Sequence, residues 1–491
     1  MRLSECPWRR VCDTERRFVD ARFARAASTD RRLVFGPEAL LPLFELAVRV
    51  VALTERKPSY CSVPYVNVRQ DMSRFDEDVR TSPMEDTGQE ARIDRRTWLT
   101  GAVSLVGATA AGLLTPALLP AEEGESVRPT HVPGRSPSPY GVRAQGETVQ
   151  RLPTATHSLT PHHALHGIIT PSALHFERHH NGVPSIHPDR HRLLIHGLVD
   201  RPLTFSMNDL VRFPSVTRTL FIECSGNSGK EWKGPTGKTV QETHGLMSTS
   251  EWTGVPLATV LAEAGSKPHA AWVLAEGSDA AAMTRSLPLE DVLKEALLCY
   301  AQNGEALRPE QGYPLRLVIP GWEGNTCIKW IRRLKLSTVP SMTREETSRY
   351  TDLMPDGTAK QFTFVMEAKS VITSPSGGQQ IEPGFVEIRG LAWSGRGKIA
   401  MAEVSTDGGK SWHRAQLQEP VLSQCHTRFR FGWRWNGDET IIQSRCTDET
   451  GYVQPTRAVL VAARGVHSFY HYHAIHSWKI DRRGTVTNEQ V

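Results

Sequence analysis

The chain has 491 residues, a formal charge of +5 at neutral pH, 39% hydrophobic and 23% charged residues, a globular composition with room for roughly three domains of about 150 residues. Lys and Arg are scattered, and residues 1–83 alone hold 15 Lys/Arg against 12 Asp/Glu, so no nucleic-acid footprint follows. Eight cysteines without CxxC spacing exclude a disulfide-stapled scaffold.

Residues 1–83 are Arg-rich, nearly free of Lys and without a sustained period of 2 or 3.6. They read as a non-native or disordered extension, with translation expected to start at Met84 or Met72. Within 84–121, Arg95 and Arg96 precede a weakly apolar run from Gly101 to Leu119 and a Pro-Ala site ahead of acids. That is the pattern of a twin-arginine export signal; a membrane anchor is the alternative. The signal predicts export of a folded, cofactor-bearing protein to the periplasm, with no membrane span in the mature form. Residues 122–158, rich in Pro, Ser and Gly, read as a flexible lead-in.

Folding is expected from Leu159. Over 159–345, strand-like runs HRLLIHGLV, RTLFIEC, AWVLAEG and YPLRLVIPG alternate with helix-like stretches such as Ser206 to Val211 and Leu257 to Gly265, predicting a mixed α/β domain. After the connecting stretch MTREETSRYTDLMPDG, residues 362–482 turn to short alternating strands with Gly-Asp and Asp-Gly turns, spaced like an antiparallel, immunoglobulin-like β-sandwich. The fold class expected is therefore α+β. Cys425 and Cys446 fall in the second domain, and spacing leaves open whether they pair.

Three constellations carry chemistry. Cys224 ends the apolar strand TLFIEC before the turn SGNSG, a strand-end position expected to favour thiolate; a lone cysteine speaks against an isolated zinc site, which needs about four ligands. Ten of the nineteen histidines lie between His157 and His196, which leaves a metal-binding, non-catalytic protein as a reading of another class; Arg178 beside them offers bidentate anion recognition. The string QGYPLRLVIPGWEGNTCIKW over 311–330 sets Arg316 and Lys329 around a Gly-rich turn, suited to an anionic cofactor, without the spacing of a phosphate loop.

Together these pieces resemble the sulfite oxidase family of molybdenum enzymes over about residues 160–480. The pterin-binding FxRxH element resembles Phe176, Arg178, His179 and His180; the metal-bearing cysteine before a GN turn resembles Cys224, Gly226 and Asn227. The EGxD segment resembles Glu276 to Asp279, and a later element resembles Arg316, Cys327, Ile328, Lys329 and Trp330. Tyr350 falls where the family has an active-site tyrosine.

The resemblance implies one molybdenum-molybdopterin per chain, the metal held by Cys224, with Cys224, Tyr350 and Arg178 catalytic. Cofactor binding falls to Phe176, Arg178, His179, His180, Cys224, Asp279, Gln311, Arg316, Cys327, Ile328 and Lys329, and dimerisation to the C-terminal sandwich. Gln311 stands where many members carry a histidine, and Gly229 where sulfite oxidases place a substrate-binding arginine, a loss expected to lower the pocket's charge and open space. With the export signal, this resembles the molybdenum subunit of sulfane dehydrogenases. It implies a sulfur carrier protein as substrate and a two-plus-two heterotetramer with a c-type cytochrome subunit, since no CxxCH haem motif occurs. Oxidation of free sulfite is the alternative.

Overall fold

The computed structural model describes residues 136–491, which belong to one compact unit. The expectations for the 1–83 extension, the start codon, the 84–121 signal and the first part of the lead-in lie outside the described residues. The lead-in gains structure earlier than expected: Leu152–Pro153 pairs with His157–Leu159, which in turn pairs with Glu177–Arg178. His157 stands opposite Arg178 in this small sheet.

Two larger sheets build the first domain. One is mixed, in the order Leu203–Ser206, Arg192–Gly197, Ile331–Ser337, Trp272–Gly277, Thr284–Pro288. Its Arg192–Gly197 and Ile331–Ser337 strands are parallel and the other neighbours antiparallel. The other sheet runs Glu305–Ala306, Leu297–Gln302, Met247–Pro256, Val216–Glu223, with Arg316–Val318 added on Leu297–Gln302. Between them lies one core containing Leu193, Ile195, Trp252, Leu298, Leu317 and Leu334. The Leu257–Ala264 helix buries Leu257, Val260, Leu261 and Ala264, the i, i+3, i+4, i+7 stripe of an amphipathic helix.

The second domain is a β-sandwich of two antiparallel sheets. One contains Lys369–Ser374, Gly384–Trp393, Thr427–Trp435 and Gln416–Gln418; the other contains His413–Arg414, Ile399–Ser405, Thr440–Asp448, Ser477–Ile480 and Val486–Glu489. The fold class expected from the sequence is the one observed. The last strand runs beyond the expected boundary at residue 482, and the sandwich carries a helix, Arg457–Arg464. Cys425 and Cys446 are both buried free thiols.

Phe221, Val240 and Met247 of the first domain pack into the sandwich core with Trp393 and Trp478. The stretch read as a connector is equally integrated. Its helix Arg344–Thr347 buries Glu345 and Glu346, and Glu346 accepts hydrogen bonds from Arg285 Nε (3.1 Å) and Ser286 N (2.8 Å). No helix among the described residues is long and apolar enough to cross a membrane.

Candidate active site

The strand Val216–Glu223 ends at the residue before Cys224, and the next turn is held from several sides. Asn227 N donates to Cys224 O (2.8 Å), Cys224 N to Leu246 O (2.9 Å), and the Asn227 amide links Glu223 Oε1 (2.9 Å) to Leu246 N (3.1 Å). Ser228 takes a left-handed φ of 62° as the turn closes. Behind it, Lys369 of the sandwich forms a buried ion pair with Glu223 (3.1 Å), and Trp393 Nε1 donates to the other Glu223 oxygen (2.7 Å). The sulfur is thus placed by both domains.

Cys224 opens on a concave cavity lined by both polar and apolar side chains, the usual make-up of small-molecule and cofactor sites. Every site residue expected from the sequence lines it: Phe176, Arg178, His179, His180, Cys224, Asp279, Gln311, Arg316, Cys327, Ile328, Lys329 and Tyr350. They come from five separate parts of the chain. Sequence reasoning did not single out His175, Ile222, Met283 or Asn325, which also line it. His175 and Asn325 adjoin the recognised motifs; Ile222 and Met283 carry no signal beyond hydrophobicity.

The cavity is cationic. Arg316 is buried and donates to Gln311 O (2.9 Å) and Cys327 O (3.3 Å), with its Nε left without a partner. Lys329 Nζ donates to Arg178 O and Glu310 O, both at 2.9 Å, and Arg178 to Thr156 O (3.4 Å) and His179 O. All three cations are directed at carbonyl oxygens, and none forms an ion pair among the described residues. Burial, then the charge of Arg316, pushes the Lys329 ammonium down to about 7. Gly312, at φ 110°, lies where a Cβ would come within 3.1 Å of both the Arg316 and Lys329 side chains, so glycine lets these two cations converge.

Gln311 Nε2 donates to Phe176 O (2.9 Å), fastening the Phe176–His180 loop over the cavity. Asp279 Oδ1 accepts from Met283 N (3.0 Å), which closes the turn beside it. Cys327 is a buried packing residue whose sulfur meets Ile319 N at 3.3 Å. His180 Nε2 and Tyr350 OH are 3.0 Å apart, and the Arg285 guanidinium lies 5.1 Å from the Tyr350 ring centre. Burial, followed by Arg178, lowers His180 to about 4, while burial raises the Tyr350 phenol. At neutral pH the pair is an uncharged imidazole and an uncharged phenol.

Beneath this wall lies a network with no counterpart in the motifs. Arg285 Nη1 pairs with Glu323 (2.9 Å) and contacts Asn325 Oδ1, while Arg285 Nε pairs with Glu346 (3.1 Å). His471 from the C-terminal segment reaches Glu323 Oε2 at 3.2 Å. Burial alone would raise the Glu323 carboxyl, but Arg285 and then His471 hold it low.

Two expectations and one alternative are corrected. The Cys224 position does not favour thiolate: burial pushes the thiol up, and the Gly226 amide and Arg178 only partly oppose it. Gly229 does not open the cavity, which it does not line; a Cβ there would meet Phe469 O at 2.4 Å, so the C-terminal segment fills the space. The histidine-rich stretch forms no metal cluster; among the described residues no three His, Cys, Asp or Glu side chains converge for a metal ion.

The donor set fits an anionic, phosphate-bearing pterin. Three unpaired cations, a buried guanidinium nitrogen without a partner and a soft sulfur ligand face one cavity. Fold and cavity together define a two-domain molybdopterin-binding protein. A sequence profile described as oxidoreductase molybdopterin binding domain matches residues 180–345, and one described as Mo-co oxidoreductase dimerisation domain matches 360–478. The chain belongs to the sulfite oxidase family.

Mitochondrial sulfite oxidase of Rattus norvegicus is 33% identical over 337 residues, covering 63% of this chain and 61% of that protein. NADH nitrate reductase of Ulva prolifera is 30% identical over 306 residues, covering 55% of this chain and 34% of that protein. The chain thus spans about 61% of the length of that sulfite oxidase. The crystal structure of the sulfane dehydrogenase SoxCD from Paracoccus pantotrophus superposes with a TM-score of 0.72 at 44% identity, covering 77% of this chain and all of that one.

Proposed function

We propose that this chain is the molybdenum subunit of a periplasmic sulfane dehydrogenase, oxidising the sulfane sulfur of a thiosulfate-derived intermediate held on a carrier-protein cysteine. One observation carries the reading: Cys224 shares a single cavity with Arg178, Arg316 and Lys329 in a chain 44% identical to a sulfane dehydrogenase. One molybdopterin per chain, bound there, would supply the redox and oxygen-transfer chemistry.

The chain's own groups do the rest. Arg316 and Lys329 neutralise the cofactor's charge, and Arg178 holds the loop that ends at His180. Cys224 would be the metal ligand; because burial opposes its ionisation, the positive charge of a bound metal would be needed to make the thiolate stable. Tyr350 and His180, both neutral, hold a proton between them at 3.0 Å in the wall of the same cavity. Arg285, stacked near Tyr350 and anchored by two buried glutamates, keeps that phenol in place.

With no CxxCH motif in the sequence, electrons leave through another polypeptide, for which a c-type cytochrome subunit in a two-plus-two assembly is the proposed acceptor. The pair Arg95-Arg96 before the apolar run supports export by the twin-arginine route.

The test is turnover by purified protein plus cytochrome acceptor, with carrier-bound thiosulfate against free sulfite, together with metal analysis. Turnover that requires the carrier supports the proposal; rapid oxidation of free sulfite supports a second reading, a sulfite dehydrogenase, which the 33% identity to a mitochondrial sulfite oxidase favours. A protein without molybdenum would defeat both.

A further inference from the structure

A second concavity, of about 480 Å³, lies at the seam between the loop 163–167 and the outer face of the sandwich. Three guanidiniums line it: Arg389, Arg428 and Arg430. Arg389 and Arg430 are direct cross-strand partners, and Arg428 follows two residues along on the same face. Like charges placed opposite each other destabilise a sheet, so this pairing is a local cost in the protein alone.

Compensation is partial. Glu387 is the only carboxylate paired with these arginines among the described residues, at 3.3 Å from Arg430 and 3.9 Å from Arg389. Arg428 directs its Nε to Gly167 O, a carbonyl of the facing loop, and no hydrogen bond engages its terminal nitrogens among the described residues. Burial, followed by Arg389 and Arg430, pulls Arg428 down to about 10. Three guanidiniums therefore line a two-walled cleft with a single carboxylate, Glu387, paired to them from outside its lining, and the other wall carries His163 and His166.

We propose that this seam is a binding site for a small dianionic oxyanion, with sulfate as the representative ligand, separate from the molybdopterin cavity. The surplus of two positive charges matches a dianion, and guanidinium forks match tetrahedral oxyanions in bidentate geometry. The cleft is concave and bounded by both domains, which suits a small ion better than a flat protein partner. Occupancy removes the Arg389–Arg430 repulsion and ties the loop 163–167 to the sandwich.

The experiment is isothermal titration of the purified protein with sodium sulfate and with sodium phosphate, at an ionic strength fixed with chloride, alongside thermal unfolding in the same buffers. Saturable sulfate binding is expected, weakened about tenfold or more in Arg428→Gln. In Arg430→Gln the melting temperature should rise in chloride, because a like-charge contact is gone, while the stabilisation by sulfate shrinks. Tighter binding of phosphate than sulfate would keep the site and reassign its ligand. Sulfate binding unchanged in both variants, or no saturable heat beyond chloride in the wild type, overturns the proposal. Arg178→Gln, in the molybdopterin cavity, should leave this binding intact; its loss there would place the anion in the other cavity and also overturn it.

Discussion

The molecule holds two sets of cations, one lining the cavity and one buried behind its wall, and they are treated oppositely. Arg178, Arg316 and Lys329 in the cavity have only carbonyl partners, and Arg316 keeps an unsatisfied nitrogen. Arg285 and Lys369, directly behind the cavity wall, are matched by Glu323, Glu346 and Glu223. A buried charge left unpaired is costly unless something arrives to pair it. The difference therefore separates the groups that await a ligand from those that hold the wall on which the ligand sits.

The largest effect expected tests the cavity itself. Cys224→Ser should abolish turnover and molybdenum content while leaving the melting temperature of the cofactor-free protein near wild type; undiminished metal and activity would remove the sulfur from the site. Next comes the wall. Arg285→Met strands Glu323 and Glu346 in the interior and should cost about 3–5 kcal/mol by denaturant unfolding.

Arg316→Met, by contrast, removes an unpaired cation. It should leave the cofactor-free protein as stable or slightly more so, yet lose cofactor on dialysis; a loss of stability comparable to Arg285→Met would erase the distinction between the two sets. A smaller effect concerns pH. Lys329 in the fold sits near 7, below its ordinary range, so from about pH 7 up to the normal lysine range the unfolded chain binds a proton the fold does not. Stability of the cofactor-free protein should therefore rise with pH across that window, and the rise should be absent in Lys329→Met. The smallest change is at the surface, where Arg396→Gln breaks the partly exposed pair with Glu367 (2.7 Å) and should cost at most about 1 kcal/mol.

Legibility in the sequence followed how local each cause was. The strand before Cys224, the SGNSG turn, the FxRxH element and the Arg316–Lys329 string are short-range patterns, and the residues named from them line one cavity. Arg285 and Lys369 carry no such signal: each is a lone cation in a buried strand, and their partners lie 38 and 61 residues away for Arg285 and 146 for Lys369. The rise of the Cys224 thiol was likewise invisible, because desolvation depends on what covers the sulfur and not on its neighbours in the chain.

By itself the sequence determined the two-domain α+β organisation, through a change in hydrophobic period after the stretch that begins at Met342, and the identity of the cysteine and cations that line one cavity. Only the tertiary structure decided that the presumed connector buries two glutamates against Arg285, that Phe469 closes the space beside Gly229, and that Arg389, Arg428 and Arg430 share a cleft with the loop 163–167. The physical reason is common to all three. Each is an approach of segments far apart in the chain, fixed by sheet register and domain packing, and a local pattern holds no information about the partner it will meet.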